Sequence, residues 1–328
     1  MRGLLAIVLA VFGFATAASA DTVVRVGQVP STAKSLGALP WFVGEARGFF
    51  AREGIKLQLV PLDGGTDQMV KRLDKGDVDL SGSATPYFIQ AVADGTSNSV
   101  AVAATSANPV YSLIVKPEIK SFADLKGKTL GLSLAIDTIS ISMRKLIEKH
   151  GIKDTDYTVK ELVGTPVRLD CLKSGACDGT PLGQPEDFAA IAQGYHRLGV
   201  STDAVAHFEF TVLIARRVWA KANQATLVSF LRGLASSFRF IRDPAHRNDV
   251  AKIIVDGTGA SDATAHAILD LYFKSDRGVL PRAGELDLKG LAQVIAFMGE
   301  AGVLKGPLPA PGRFVDQRYL KLAGVKTN

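Results

Sequence analysis

Cysteine is scarce in this chain of 328 residues: there are two, Cys171 and Cys177. No histidine or second cysteine pair lies at ligand spacing beside them, so a metal site is not expected. The Gly-x-x-x-x-Gly-Lys-Ser/Thr phosphate loop is missing, which excludes ATP hydrolysis by this chain itself. No Gly-x-Ser-x-Gly elbow occurs, and the five histidines, His150, His196, His207, His246 and His266, do not gather around a nucleophile signature. Dense Lys/Arg blocks are lacking too. The formal charge is +6, or +5 without Arg2, and is interspersed with acidic residues, so nucleic acid is not an expected partner. No apolar run reaches the ~20 residues that a membrane span requires.

The longest apolar run, Leu4 to Phe14, follows Arg2 and precedes Ala18-Ser19-Ala20. That order is a signal peptide, with cleavage expected after Ala20. No cysteine follows the cleavage site, so a lipid anchor is not expected. The mature chain is expected in the periplasm, where Cys171 and Cys177 meet oxidising conditions. They flank Lys173-Ser174-Gly175. Either they close a small disulfide loop or they are two buried small residues, one on a helix and one on the next strand; geometry decides.

A repeat is present. Gly65-Thr66, Leu73, Gly76, Asp79, Pro86 and Gly95 recur as Gly164-Thr165, Leu172, Gly175, Asp178, Pro185 and Gly194, at one offset (164 − 65 = 99). Ala91 and Ala93 pair with Ala190 and Ala192 in the same way. Around each copy, strands alternate with helices of about ten residues, which predicts an α/β fold of parallel βαβ units covered on both faces. Expected strands run over 22–29, 55–62, 100–105, 111–115, 129–133 and 158–162, with a short one starting at Asp79. Expected helices run over 39–47, 67–75 and 138–150, and from Pro86 to Gly95. After Val200 one more strand, 208–215, is followed by helices over 223–241, 247–254, 263–271 and 288–301. The division that follows is 1–20 signal peptide, 21–108 first lobe, 109–206 second lobe, and 207–328 a return crossing with helices packing mainly on the first lobe. Two crossing segments make a hinge.

In open α/β sheets a ligand lies at the carboxyl ends of strands, where helix N-termini offer unpaired N–H groups. Loops rich in Gly, Ser and Thr leave room there and supply hydroxyls. The expected ligand-binding residues are Lys34, Trp41, Gly65, Thr66, Ser83, Ala84, Thr85, Thr105, Ser133, Thr138, Thr165 and Gln184. Trp41 packs on an organic ligand or belongs to the core. Of Tyr87 and Phe88, one faces the cleft and the other the core. Asp137 is expected to cap a helix and His207 to be structural; Arg168 either pairs with an anion or sits on a solvated helix face, the second being the expectation. The repeated Asp and the closing Gly are expected to be framework.

Residues Leu39 to Gly54 (LPWFVGEARGFFAREG) resemble a segment of solute-binding proteins for nitrate, sulfonate and taurine uptake, a family that includes binders of thiamine-pyrimidine precursors. Lys71 to Asp79, Ser121 to Leu132 (SFADLKGKTLGL), Val163 to Asp178 and Pro185 to Gly194 are similar to further elements of that family, in the same order. The resemblance covers most of residues 22–215. It implies two Rossmann-like lobes of the type II periplasmic-binding-protein kind around a central cleft. It further implies capture of a small organic solute (sulfonate, carboxylate or nitrogenous compound) for an ABC permease and its ATPase, by a monomer with no cofactor. The alternatives are a secreted enzyme using the same cleft and a ligand-sensing subunit of a membrane sensor.

Overall fold

The computed structural model describes residues 21–30, 35–205, 208–273 and 279–327. The expected signal peptide, Lys34 and His207 lie outside them. The described strands form two sheets of five. The first contains β1 (Thr22–Gln28), β2 (Ile55–Pro61), β3 (Leu80–Ala84) and β4 (Ser99–Ser106). The second contains β5 (Ser112–Val115), β6 (Thr129–Leu132), β7 (Thr158–Glu161), β8 (Gly179–Leu182) and β9 (His196–Val200). The tenth strand, β10 (Thr211–Arg216), returns to the first sheet. The orders are β2-β1-β3-β10-β4 and β7-β6-β8-β5-β9, so each position in one sheet has a counterpart in the other.

The sheets are mixed, not purely parallel. β10 runs antiparallel to β3 and β4, and β5 antiparallel to β8 and β9. The reason is the crossings. β5 and β10 each enter a sheet directly from the other one, at the end toward which the neighbouring strands point. Thr211 therefore faces Ala84 and Ser106, the last residues of β3 and β4, as Ser112 faces Leu182 and Val200, the last of β8 and β9. β9 was not among the expected strands. Its sequence, His-Arg-Leu-Gly-Val, is half-buried throughout on the sheet edge and lacks an apolar alternation.

The helices are α1 (Leu39–Ala46), α2 (Thr66–Asp74), α3 (Thr85–Ala93), α4 (Thr138–Lys149), α5 (Thr165–Lys173) and α6 (Glu186–Ala192). The C-terminal part adds α7 (Arg217–Ala222), α8 (Gln224–Arg242), α9 (Arg247–Thr258), α10 (Asp262–Tyr272), α11 (Leu288–Glu300) and α12 (Arg318–Leu322). One core lies between the first sheet and α1, α8, α9, α10 and α12. Its aromatic centre joins Trp41, Phe50 and Phe230, with ring centroids 5.2 to 6.3 Å apart. A second core, under α2, α3 and α11, covers the opposite face. The second sheet carries two smaller cores, one beneath α4 and one beneath α5 and α6. β4 is buried along its whole length although it ends the sheet, because Ala101 exchanges backbone hydrogen bonds with Phe314 and Asp316, and Ala104 donates to Gly284.

The repeat folds as two equivalent units, α2-β3-α3 and α5-β8-α6. Gly76 and Gly175 end their helices at φ of 85° and 77°, a region that favours glycine. Asp79 accepts from the Arg25 backbone N–H at 2.9 Å and pairs with its guanidinium at 2.8 Å. Asp178 accepts from the Thr129 N–H at 2.8 Å and pairs with Lys116 at 2.7 Å. Each aspartate thus ties the strand after its turn to a neighbouring strand, far from the opposite strand ends. Cys171, near the end of α5, and Cys177, ahead of β8, are disulfide-bonded, with Cα atoms 5.3 Å apart.

Candidate functional site

The chain crosses between sheets twice, through 107–111 and through the segment that ends at Phe210. Tyr111 and Phe210 stand just before β5 and β10, again 99 positions apart (210 − 111 = 99). Their rings meet edge to face at 6.0 Å. Around this contact, strand ends from both sheets enclose a cavity of about 180 Å³. Leu36, Trp41, Val110, Tyr111, Ile139, Val163, Phe210 and Val279 give it apolar walls, and Ser and Thr hydroxyls line the remainder.

Of the expected ligand-binding residues, Trp41, Thr66, Ser83, Ala84, Thr105, Ser133, Thr165 and Gln184 are brought together on this cavity. Trp41 combines both of its readings, lining the cavity while its ring packs among Phe50 and Phe230. Three others do not line it. Gly65 is the residue before α2, Thr138 is fully buried at the start of α4, and Thr85 directs its hydroxyl to the Phe210 carbonyl at 3.0 Å. Thr85 therefore anchors a crossing. Phe88 is wholly in the core and Tyr87 half-buried; neither lines the cavity.

Among the described residues two charged side chains line the cavity, Asp137 and Arg168, both from the second lobe. Asp137 caps α4, its Oδ1 accepting from the Ile139 N–H at 2.8 Å. Its Oδ2 accepts from Ser133 at 3.2 Å and from Thr66 of the first lobe at 3.3 Å, a hydrogen bond across the cleft. Burial pushes its pKa up, opposed by these bonds and by the Arg168 charge.

Arg168 corrects the expectation of a solvated face. It is 1% exposed and lies against the ends of two strands. Its Nε donates to the Pro181 carbonyl at 2.7 Å, Nη1 to the Leu162 carbonyl at 3.2 Å, and Nη2 to the Thr165 hydroxyl at 3.1 Å. Burial is the main cause lowering its pKa. The side chain points into its lobe because α5 begins at the cleft and turns this face to the sheet. The Tyr111 ring lies 5.7 Å from the guanidinium carbon, and burial pushes the Tyr111 hydroxyl up to about 12.

Gln184 is fixed by Asp187, which is fully buried. Asp187 accepts from Gln184 Nε2 at 3.0 Å, Ser112 Oγ at 2.6 Å, Arg197 Nη2 at 2.9 Å and the Phe188 N–H at 2.7 Å. Gln184 Oε1 accepts from the Tyr272 hydroxyl at 3.4 Å, so α10 also reaches the site. Tyr272, Tyr111 and Phe210 were not among the expected site residues. Tyr272 lies on an amphipathic helix that reads as core, and the two others precede their strands without any glycine or hydroxyl signal.

The sequence matches the NMT1/THI5-like family over residues 37–246, well over half of the chain. The chain belongs to that family. A Haemophilus influenzae protein named for thiamine biosynthesis is 34% identical over 96 residues, 28% of this chain and 30% of that protein, so the match spans under a third of this relative. YtlA of Bacillus subtilis, named for binding, is 23% identical over 257 residues, 75% of this chain and 73% of that one. Among solved structures, the periplasmic aliphatic sulphonate binding protein SsuA from Escherichia coli superposes with a TM-score of 0.70 at 19% identity, covering 91% of this chain and 99% of that one. That likeness shows the periplasmic-binding-protein fold. Among the described residues no helix is long and apolar enough to cross a membrane, and no cluster of metal-ligating side chains occurs.

Proposed function

We propose that this protein is the solute-binding component of an ABC importer, exported to the periplasm with cleavage after Ala20. It captures a small organic solute (a sulfonate, carboxylate or nitrogenous compound) reversibly between a lobe of residues 21–108 and one of 109–206. Residues 207–328 return to the first lobe. The monomer then presents the closed form to a permease whose ATPase works at the inner membrane. The observation that carries this reading is the cavity walled by strand ends of both sheets and by both crossings, with Thr66 and Asp137 bonded across it. A site divided between two lobes binds by closing, and closure is the signal a permease can read. Family membership supports the same role.

The test is native mass spectrometry of protein purified from its source, followed by thermal-shift screening of organic acids, sulfonates and nitrogenous compounds. A ligand at a hundredfold excess over Kd stabilises by about 2.7 kcal/mol. Recovery of the stabilising compound unchanged is expected. Its chemical conversion by the purified protein overturns the binding reading in favour of an enzyme.

A further inference from the structure

The repeat aligns Arg168 with Met69 (168 − 69 = 99). Both sit one turn into the helix that follows Gly-Thr, and both are buried, Met69 at 0% and Arg168 at 1% exposure. The framework therefore accepts an apolar, unbranched side chain at this position. In the second lobe a cation stands there instead, at a desolvation penalty that the fold does not require.

The partners of that cation are all neutral: two carbonyls and one hydroxyl. Asp137 and Glu186 act on it through space. The oxygens of Asp137 are already engaged by Ile139, Ser133 and Thr66. A guanidinium has five N–H groups, and three are used here. The remaining two belong to the terminal nitrogens of a side chain that lines the cavity. Among the described residues Arg168 is the sole cation on that lining, and the two strand-end carbonyls hold it in one orientation.

We infer that Arg168 reads the charge of the ligand: the site takes an organic monoanion, its carboxylate or sulfonate oxygens on the two open N–H groups of Arg168, its uncharged body against Leu36 and Trp41 of the first lobe and Val110 of the crossing. This rests on the solute-binding reading above. A second negative charge is disfavoured, because Asp137 lines the same cavity and no further cation among the described residues faces it. Charge-assisted, bidentate bonds to a buried guanidinium are the strong kind, and leaving the guanidinium unmatched by a neutral ligand forgoes them.

The experiment is calorimetric and thermal-shift titration with matched sets on one body: carboxylate, sulfonate, neutral amide, ammonium and dicarboxylate, over a range of alkyl and aryl bodies. Wild type, Arg168→Met and Arg168→Lys are compared, with circular dichroism as the check on folding. Wild type is expected to prefer the monoanions over the amides of the same body by on the order of tenfold to a hundredfold. Arg168→Met, which copies the first lobe, is expected to lose that preference while keeping the affinity for amides; Arg168→Lys retains part of it. Carboxylates outranking sulfonates, or the reverse, separates the two head groups. Amides, ammonium compounds or dicarboxylates binding best to wild type overturns the inference and leaves the solute-binding reading standing, as does unaltered monoanion preference in folded Arg168→Met. The absence of binding by every set overturns the solute-binding reading itself. The wild-type comparison decides even if both variants fail to fold.

Discussion

Gly290 on α11 packs directly on the return crossing, and substituting it tests whether that crossing is braced from behind. A Cβ at Gly290 would lie 2.7 Å from the carbonyl carbon of Phe208 and 2.9 Å from the backbone N of Glu209. Neither atom can swing away as a side chain does. Either α11 or the crossing must move, and overpacking of this kind costs about 1–3 kcal/mol. Alanine also gains up to about 1 kcal/mol over glycine from helix propensity. With that gain subtracted, the expected net loss for Gly290→Ala is about 0–2 kcal/mol, and its difference from a glycine whose Cβ has room is about 1–3 kcal/mol. Gly299 near the other end of the same helix is the control, because the nearest atoms its Cβ would meet are in the side chain of Leu308, at 2.8 Å, and that leucine is 46% exposed and free to rotate. Gly299→Ala is expected to be neutral or stabilising by up to about 1 kcal/mol. Urea unfolding monitored by circular dichroism measures both, with equal m-values confirming that the unfolded states match. Equal stability changes in the two variants refute the argument, since propensity alone would then account for both.

Glu209, in the same crossing, is fully buried, with Oε2 accepting from the Asp287 N–H at 2.7 Å and Oε1 without a hydrogen-bond partner among the described residues. Burial raises its pKa well above 4.5, so the folded state holds this proton where the unfolded chain has released it. Its contribution to stability is full below pH 4.5 and is lost as pH rises through the folded pKa; Glu209→Gln should flatten that decline in denaturation midpoints measured across pH, and an unchanged slope contradicts it. Asp187→Ala removes the acceptor shared by Gln184, Ser112, Arg197 and Phe188, with an expected loss of about 3 kcal/mol by urea denaturation and weaker ligand binding, whereas a loss below 1 kcal/mol would show the network to be dispensable. Thr66→Val deletes the bond to Asp137 across the cleft, about 1 kcal/mol, and should raise the ligand-free radius of gyration in small-angle scattering. Replacing Cys171 and Cys177 together by serine should cost about 2 kcal/mol from the short closed loop, read as the difference between oxidised and reduced wild type.

The α/β architecture was legible because the repeat records it: Gly-Thr opens α2 and α5, and the glycines that close them adopt positive φ in both copies. Strand ends were legible for the same reason, which is why Thr66, Ser83, Ser133, Thr165 and Gln184 fall on one cavity. What could not be read was the mixed sense of the sheets. Alternating strands and helices look alike whether the next strand enters its own sheet or crosses to the other one; only the pairing of Thr211 with Ala84 and Ser106 distinguishes them. Arg168 was misjudged on composition, since arginine one turn into a helix is usually solvated. The signal was present in the alignment of the copies, where Met69 marks that position as core.

The two copies agree where they build turns and, apart from the shared Thr66 and Thr165, differ where they meet the cleft. Leu73/Leu172, Gly76/Gly175 and Asp79/Asp178 are identical pairs and lie in cores, turns and strand tethers. Met69/Arg168, Ser83/Leu182 and Thr85/Gln184 differ, and within the last two pairs one member lines the cavity and its counterpart does not. A symmetric clamp would present the same groups to both ends of a ligand. Among the described residues this one sets its charged linings, Asp137 and Arg168, in the second lobe and the Leu36–Trp41 wall in the first. A ligand with one polar and one apolar end can then satisfy both lobes in a single orientation, so closure around it is a defined state instead of two flipped ones. The fold needs the symmetry, and the asymmetry sets how a ligand lies within it.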